Sequence, residues 1–385
     1  MLCTVGTAAI AGKAPTAIPG AHRLPSYLPT LQGKNVALLI NQTSRVGSVS
    51  LLDTLLQLKV NVKKIFVPEH GFRGTADAGA SIKNDVDAAT GIPVLSLYGK
   101  NKIPKPEQLS DVDIVVFDLQ DVGTRFYTYI STLEYMMEAC AANHKKLIVL
   151  DRPNPNGHYV DGPVLEPSMR SFVGMQPVPV VYGMTIGEYA QMLVGEKWIK
   201  HATELNMEVI PCENYDHKTL YHLPVPPSPN LKDMNAIYLY PSLCFFEGTV
   251  ISVGRGTDKP FEQWGHPELP SSFTHSFIPH STIGASSPMY EGQKCYGEKL
   301  SSRMVSLSHA DKDSMQLTFL IKAYQLYPHK ETFFNNFFEK LAGTKKLRAQ
   351  IIAGNSEKSI RQSWQSDIKA FKKIRKKYLL YGDFE

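Results

Sequence analysis

The sequence has no apolar run of the roughly 18 residues that a membrane-spanning helix needs, and it has little cysteine. Its five cysteines are scattered among 385 residues, which argues against a disulfide framework, and no C-x-x-C pair is present to hold a structural zinc ion. Hydrophobic residues make up 43% of the chain and charged residues 20%. These values are typical of a globular protein with a large core and exclude extensive disorder.

Several nucleotide-binding and catalytic motifs are also missing. Neither G-x-G-x-x-G nor G-x-x-x-x-G-K-[ST] occurs, so no dinucleotide or P-loop phosphate site is predicted. Without G-x-S-x-G or the motif set of serine β-lactamases, a serine hydrolase is disfavoured. His70, Asp118 and Asp121 could in principle hold a metal ion, but H-E-x-x-H is missing. We therefore predict neither a metal nor an organic cofactor.

The net charge of +5 is unevenly distributed. Residues 340–385 contain twelve Lys or Arg against four Asp or Glu, so this segment carries +8 and residues 1–339 carry −3. Apolar side chains recur every three or four residues from Ile360 to Tyr378, which predicts an amphipathic helix with a solvated basic face. An anionic-surface patch is the alternative. With no aromatic platform for single strands and no recognition helix, nucleic acid is not a predicted partner.

The first two-thirds of the chain alternates short apolar runs with helical patterns. Strands are predicted at 35–40, 64–67, 93–98, 113–117 and 146–150, and helices at 51–60 and 130–143. A further helix begins at a capping box formed by Thr185 and Glu188. Continuous apolar strands separated by helices predict an α/β protein with a parallel sheet covered on both faces.

Polar side chains follow the predicted strands where each one ends. They are Asn41, Gln42, Glu69, His70, Asp118, Gln120, Asp121, Asp151 and Arg152. Right-handed crossovers bring the carboxyl ends of parallel strands to one edge, where α/β proteins bind ligands. The preference of Asn, Asp and Gly for turns would explain one or two strands that end in polar residues. Four successive strands with such ends predict a binding site.

The side chains at this edge favour acid–base chemistry on a sugar. Glu69, beside Phe72 in a glycine-flanked loop, is expected to have a raised pKa and to donate a proton to a leaving oxygen. Arg125 and Tyr127 offer a cation, a ring and a hydroxyl close to Asp121. The other acids and cations considered are Glu247, Glu262 and Arg255. Two carboxylates are the usual glycosidase arrangement, but these residues alone leave a hydrolase and a sugar-binding protein both open.

At these residues the sequence resembles a known family, the NamZ-type exo-β-N-acetylmuramidases. The resemblance extends from about residue 20 to residue 381 and comprises eight motifs in order. They are GKNVALLINQT (33–43), PEHGFRG (68–74), FDLQDVGTRFYTY (117–129), DRPNP (151–155), YGMT (182–185), PSPN (227–230), EGT (247–249) and GRGT (254–257).

The resemblance implies a Rossmann-like domain without a nucleotide site, joined to a smaller C-terminal α/β domain with the active cleft between them. We predict domains at 21–235 and 236–385, after a flexible arm or signal remnant at 1–20. Residues 1–12 are apolar but lack the basic start of a secretory signal. Export to the periplasm or cell envelope is nevertheless the expectation.

The resemblance also implies the reaction: removal of N-acetylmuramic acid from the non-reducing ends of peptidoglycan fragments such as MurNAc-GlcNAc. Glu69 is then the catalytic acid, His70 its tuning or positioning neighbour, and Glu247 the second carboxylate. Substrate-assisted catalysis needs a polarising Asp, for which Asp118 or Asp121 could serve, and Asp121 is taken as a further catalytic candidate. The substrate-binding candidates are Asn41, Gln42, Arg73, Asp118, Gln120, Arg125, Tyr127, Asp151, Arg152, Arg255 and Glu262.

Several alternatives stay open from the sequence. The mechanism is retaining, inverting or substrate-assisted, because the separation of the carboxylates decides between them. Arg73, Arg125 and Arg255 all qualify to bind the lactyl carboxylate. A non-catalytic protein that binds wall fragments is the alternative function, whereas an esterase or amidase would need a nucleophile or metal that the sequence does not offer.

Overall fold

The computed structural model describes residues 16–77, 84–300 and 314–385, so most of the predicted N-terminal arm lies outside the described residues. The strands are β1 (Asn35–Ile40), β2 (Arg45–Val46), β3 (Val49–Ser50), β4 (Asn61–Val67), β5 (Asp85–Val86), β6 (Pro93–Ser96), β7 (Ile114–Asp118), β8 (Lys146–Leu150), β9 (Met207–Ile210), β10 (Gln263–His266), β11 (His275–Phe277) and β12 (Cys295–Lys299). The helices of the first part are α1 (Leu24–Leu31), α2 (Leu51–Gln57), α3 (Pro106–Leu109), α4 (Tyr129–Ala142) and α5 (Ile186–Gly195). Those that follow are α6 (Met234–Leu243), α7 (Thr318–Leu326), α8 (Phe338–Ala342), α9 (Lys346–Ile352), α10 (Glu357–Ser363) and α11 (Gln365–Arg375).

A seven-stranded sheet in the order β5-β6-β4-β1-β7-β8-β9 forms the centre of the first part. All neighbouring pairs are parallel except β5 with β6. The chain therefore adds strands outward from β1 on one side and then, from β7, on the other side. This is a doubly wound order, and it opens a crevice at the carboxyl ends of β1 and β7, where the order reverses.

The central strands are buried on both faces, which is why β1 is apolar from Val36 to Ile40 and β7 from Ile114 to Phe117. In β1, Ala37 and Leu39 belong to one core cluster, whereas Val36, Leu38 and Ile40 belong to the cluster on the opposite face. Successive side chains of a strand point to opposite faces, so only a continuous apolar run can fill both cores. The predicted α/β fold with a parallel sheet is confirmed.

The helices agree with the predicted patterns except near the end of the chain. Helix α4 lies within one residue of its predicted span. At the start of α5, Thr185 Oγ1 accepts from the backbone N–H of Glu188, and Glu188 Oε2 accepts from that of Thr185, which is the expected capping box. The predicted C-terminal helix is instead two helices, α10 and α11, separated at Trp364. Both still bury their apolar side.

The smaller C-terminal part has its own antiparallel sheet, in the order β10-β12-β11, surrounded by helices. The boundary predicted at residue 235 stays a prediction. Among the described residues, no helix has the length and apolar character to cross a membrane. The four described cysteines, Cys140, Cys212, Cys244 and Cys295, are buried and unpaired as thiols.

Candidate active site

A cavity of about 250 Å³ lies beyond the carboxyl ends of β4 and β7, against the C-terminal part. Glu69 and His70 reach it from the loop after β4, and residues 126–129 from the segment between β7 and α4. Glu247 and Arg255 reach it from the C-terminal part of the chain. The structure thus brings together the two glutamates that the resemblance assigned as catalytic acid and second carboxylate, although they are 178 residues apart in sequence.

Glu69 is half-buried and hydrogen-bonded to Thr128, the residue that precedes α4. The hydroxyl of Thr128 donates to Glu69 Oε2 over 2.9 Å. Phe72, the expected apolar neighbour, instead packs against the other core cluster. The apolar surroundings that Glu69 shares in the cavity come from aromatic residues after β7 and from the C-terminal part.

His70 fixes the loop that carries Glu69. Its backbone adopts a φ of 71°, a left-handed conformation that is costly for a residue with a Cβ atom and that is found at functional sites. Burial lowers the pKa of His70, which favours the neutral imidazole at pH 7. Because Nδ1 lies 2.6 Å from the carbonyl oxygen of Ala76, that nitrogen carries the proton and donates. The loop is closed by this bond and by the Ala76 N–H donating to the His70 carbonyl.

Glu247 and Arg255 form an ion pair in the wall of the same cavity. Arg255 donates from Nε (2.8 Å) and Nη2 (2.5 Å) to Glu247 Oε1. Its guanidinium carbon also lies 5.0 Å from the ring centre of Phe261. Gly254 and Gly256, at φ 76° and 80°, give the turn that presents Arg255, and such values favour glycine. Although burial lowers it, the charge of Glu247 raises the pKa of Arg255 above its usual value.

Aromatic rings make most of the remaining wall. The buried part contains Phe126, Tyr127, Tyr129, Tyr240 and Phe261. Towards the opening, Tyr98 and Phe172 are half-buried and Phe337 is 40% exposed. An apolar, aromatic wall with a few charged groups is typical of a site for a small organic ligand, and flat rings suit the apolar face of a sugar.

The strand-end acids Asp118 and Asp151 are engaged in the scaffold beside this cavity and are not among its lining residues. Asp118 forms a buried ion pair with Arg152, whose Nη2 donates to Asp118 Oδ2 over 2.8 Å. Asp151 accepts from the Thr185 hydroxyl (2.7 Å) and from the N–H of Gly187 (2.8 Å), and so holds the start of α5 against β8. Both carboxylates connect adjacent β–α units.

Asn41, Gln42 and Tyr127 hold the proline-rich connector at residues 224–230. Gln42 Nε2 donates to the carbonyls of Pro226 and Pro227, each over 3.1 Å. Tyr127 donates to the Pro227 carbonyl over 2.9 Å, and Asn41 Nδ2 donates to the hydroxyl of Tyr129. Of these side chains, only Tyr127 and Tyr129 also line the cavity.

The other predicted binding residues lie apart from the cavity wall. Arg73 is exposed. Glu262 is buried and pairs with Lys259 over 3.0 Å. Gln120 Nε2 donates to the carbonyls of Asp121 and Pro153, each over 2.9 Å.

Arg125 is fully buried and cross-links the two parts of the chain. Nη1 donates to the carbonyls of Pro163 and Val178, and Nη2 to those of Leu341 and Ala342, over 2.8–2.9 Å. Burial lowers its pKa to about 9, so the guanidinium is still a cation at pH 7. Its position makes it a structural cation beneath the cavity wall to which Leu341 belongs.

Asp121 is buried behind the cavity wall. Its Oδ2 accepts from the Gly123 N–H over 2.6 Å and from the hydroxyl of Tyr182, whereas no side-chain or backbone donor in the described part of the chain makes a geometrically good hydrogen bond to Oδ1. Burial raises the pKa of Asp121 to about 6. An isosteric amide can keep both bonds to Oδ2, so the carboxyl group can be replaced without disturbing the loop.

The raised pKa of Asp121 leads to a prediction about stability. Between about pH 4 and 6 the native state holds a proton that the unfolded state has released, so this group's contribution to stability falls as the pH rises through that window. Asp121→Asn removes the cost of burying the charged carboxylate above this pH window. We therefore compare the free energy of unfolding of the variant with that of wild type at each pH. The difference should favour the variant by about 2–3 kcal/mol more at pH 7.5 than at pH 4.

Urea unfolding of both proteins at the two pH values measures this difference. Asp258→Asn, at an exposed carboxyl group, is the control and should change stability by less than about 0.5 kcal/mol at either pH. Equal effects of Asp121→Asn at pH 4 and pH 7.5 would contradict the prediction.

Thr128, Tyr240, Phe261 and Phe337 were not singled out from the sequence, yet all four line the cavity. For Thr128 a signal existed, since it lies two residues before the start of the helix predicted at 130–143. The aromatic residues of the C-terminal part had no distinguishing pattern. Among the described residues, no group of three or more His, Cys, Asp or Glu side chains could hold a metal ion.

A doubly wound parallel sheet and an aromatic cavity lined by two glutamates are the features of an α/β protein with a site suited to acid–base chemistry on a sugar. The family model described as "Exo-beta-N-acetylmuramidase NamZ, N-terminal" matches residues 36–235, and its C-terminal counterpart matches residues 238–381. The chain belongs to the NamZ family, as the sequence motifs predicted.

Individual relatives agree with this assignment. The chain is 39% identical over 383 residues to the peptidoglycan β-N-acetylmuramidase NamZ of Bacillus subtilis, covering 93% of this chain and 89% of the relative. A crystal structure of a DUF1343 family protein from Bacteroides fragilis is 45% identical, with a TM-score of 0.88 over 96% of this chain and all of the other. A second such protein from that organism is 29% identical, with a TM-score of 0.81 over 95% of this chain and 99% of its own.

Proposed function

We propose that this protein is an exo-β-N-acetylmuramidase that hydrolyses the β-1,4 bond of N-acetylmuramic acid at the non-reducing end of peptidoglycan fragments. The observation that carries the proposal is the pair Glu69 and Glu247, which face one cavity from opposite parts of the chain. Membership of the NamZ family supports the substrate class. A cavity of about 250 Å³ is on the scale of one sugar residue rather than a long glycan chain.

In this proposal Glu69 protonates the glycosidic oxygen as the bond to the leaving sugar breaks. Positive charge then develops on the anomeric carbon and ring oxygen, and a second carboxylate stabilises it. Glu247, which lines the same cavity, is that group. The oxygen of a water molecule finally bonds to the anomeric carbon, and a carboxylate takes up the proton that the water releases. Arg255 orients it by the two hydrogen bonds to Oε1.

Arg255 is also the residue that we propose for the lactyl carboxylate, which distinguishes N-acetylmuramic acid from N-acetylglucosamine. Of the three arginines considered, Arg73 is exposed, Arg125 is fully buried, and Arg255 lines the cavity. A guanidinium has five N–H donors, and Glu247 engages only Nε and Nη2. The Nη1 group is therefore available to a substrate carboxylate.

Replacing Arg255 by glutamine should reduce discrimination between the two sugars. We expect the ratio of kcat/KM for the muramic acid glycoside to that for the glucosamine analogue to fall about 30-fold, because hydrogen bonds to a charged group are lost. Any effect of the substitution on Glu247 lowers kcat/KM for both substrates alike, because both depend on Glu247, and it therefore cancels in the ratio. Arg73→Gln is the matched control and should leave the ratio within about twofold. The opposite pattern would assign the lactyl carboxylate to Arg73.

Release of a chromophore from the β-glycoside of N-acetylmuramic acid tests the proposed function directly. Wild type should hydrolyse this compound and release little from the N-acetylglucosamine analogue. Equal release from both would contradict the specificity. Tight binding of the MurNAc-GlcNAc disaccharide without any product would instead identify a binding protein.

The site of action follows from this substrate. We propose that the protein works in the periplasm or cell envelope, where peptidoglycan fragments are produced. Cell fractionation followed by immunodetection would test this location, and recovery only with the cytoplasm would contradict it.

A further inference from the structure

We propose that Thr128 is a positioning residue for the catalytic acid, holding Oε2 of Glu69 so that the carboxyl group is oriented to deliver its proton. This inference rests on the proposed function, because it needs Glu69 to act as the acid. Thr128 lines the cavity and is almost fully buried. Its hydroxyl donates to Glu69 Oε2 over 2.9 Å.

The hydroxyl of Thr128 does not cap helix α4, although the residue lies at the position where capping is favoured. Thr128 is the N-cap of the 14-residue helix α4. Threonine is common at N-caps because its side-chain oxygen accepts a bond from a backbone N–H in the first turn. At α4 no such capping bond is present. The side chain is directed to Glu69 instead, which indicates that the site, rather than the helix, requires this hydroxyl.

The backbone of Thr128 is held independently of that hydroxyl. Its carbonyl accepts from the backbone N–H of Thr132 over 3.0 Å and from the Thr132 hydroxyl over 3.2 Å. The donor atom is therefore presented from a fixed helix start. Glu69 belongs to the loop after β4, 59 residues earlier, so its carboxyl group takes its orientation from a different β–α unit.

The carboxyl group is thus fixed at two points. The His70–Ala76 bonds fix the backbone of the loop, and Thr128 fixes Oε2. Held in this orientation, the protonated carboxyl group gives its proton to the glycosidic oxygen as the C–O bond breaks.

The test compares three variants on two substrates. Thr128→Val removes the donor and keeps the shape, Thr128→Ser keeps the donor, and Thr54→Val removes a hydroxyl that donates within α2, far from the cavity. The substrates are the MurNAc-GlcNAc disaccharide, whose sugar leaving group needs a proton, and the 4-nitrophenyl glycoside, whose leaving group needs little help.

Thr128→Val should lower kcat on the disaccharide about 20-fold with KM within about twofold, a part of the 10²–10⁴-fold effect of a positioned acid. On the nitrophenyl glycoside the loss should stay below about threefold. Thr128→Ser should recover most of the activity, and Thr54→Val should match wild type. If Thr128→Val does not fold, Thr128→Ala should show the same dependence on leaving group.

Two outcomes would overturn the inference while leaving the proposed function intact. One is a Thr128→Val enzyme as active on the disaccharide as wild type. The other is equal losses on both substrates, which would show a general structural effect. Wild type that hydrolyses neither muramic acid substrate would refute the proposed function itself, and with it this role of Thr128.

Discussion

Glu69→Gln is expected to lower kcat on the MurNAc-GlcNAc disaccharide about 10³-fold, because the amide cannot donate the proton that the leaving oxygen needs. The substitution keeps the shape of the side chain and an acceptor for the Thr128 hydroxyl. The fold should therefore be retained. The loss on the 4-nitrophenyl glycoside should be smaller by at least about tenfold, since a phenolate leaves without strong acid assistance. Initial rates on both substrates measure the effect.

The matched control is Glu107→Gln, which replaces an exposed glutamate on α3. Its activity should equal that of wild type. If Glu69→Gln retains activity on the disaccharide and Glu247→Gln loses it, the roles of the two glutamates in the cavity are reversed. If both variants retain activity, the acid is a residue outside this pair.

The second large effect concerns stability rather than catalysis. Arg125→Met should lower the free energy of unfolding by about 4 kcal/mol, because four buried carbonyls lose their donor and the two parts of the chain lose a cross-link. Methionine can fill much of the space of the stem but cannot donate. Urea unfolding at pH 7 measures the change.

Arg73→Met is the control for this experiment, because Arg73 is exposed. Its stability should stay within about 0.5 kcal/mol of wild type. An Arg125→Met protein that is as stable as wild type but no longer binds muramic acid would contradict the structural role. It would indicate that Arg125 reaches the substrate.

The polar residues at the strand ends show why a site predicted by topology is only partly recovered. Parallel strands do bring Glu69, Asp118 and Asp151 to one edge, as predicted. The same edge is where helices begin and where adjacent β–α units must be joined. Asp118 pairs with Arg152, and Asp151 holds the start of α5. These buried bonds leave both carboxylates in the scaffold, whereas Glu69, two residues beyond the end of β4, lines the cavity.

By itself the sequence determined the parallel sheet, since only continuous apolar strands fill cores on both faces, and through its motifs it determined the family. It also singled out Glu69, His70, Glu247 and Arg255. Tertiary structure alone decided which arginine reaches the cavity and which hydroxyl orients Glu69. The local sequence pattern indicates which interactions a side chain is able to make. Its burial and its partners distant in sequence determine which of them it makes in the folded protein. Arg125 illustrates this, because the carbonyls of residues 341 and 342 that bind it are more than 200 positions away.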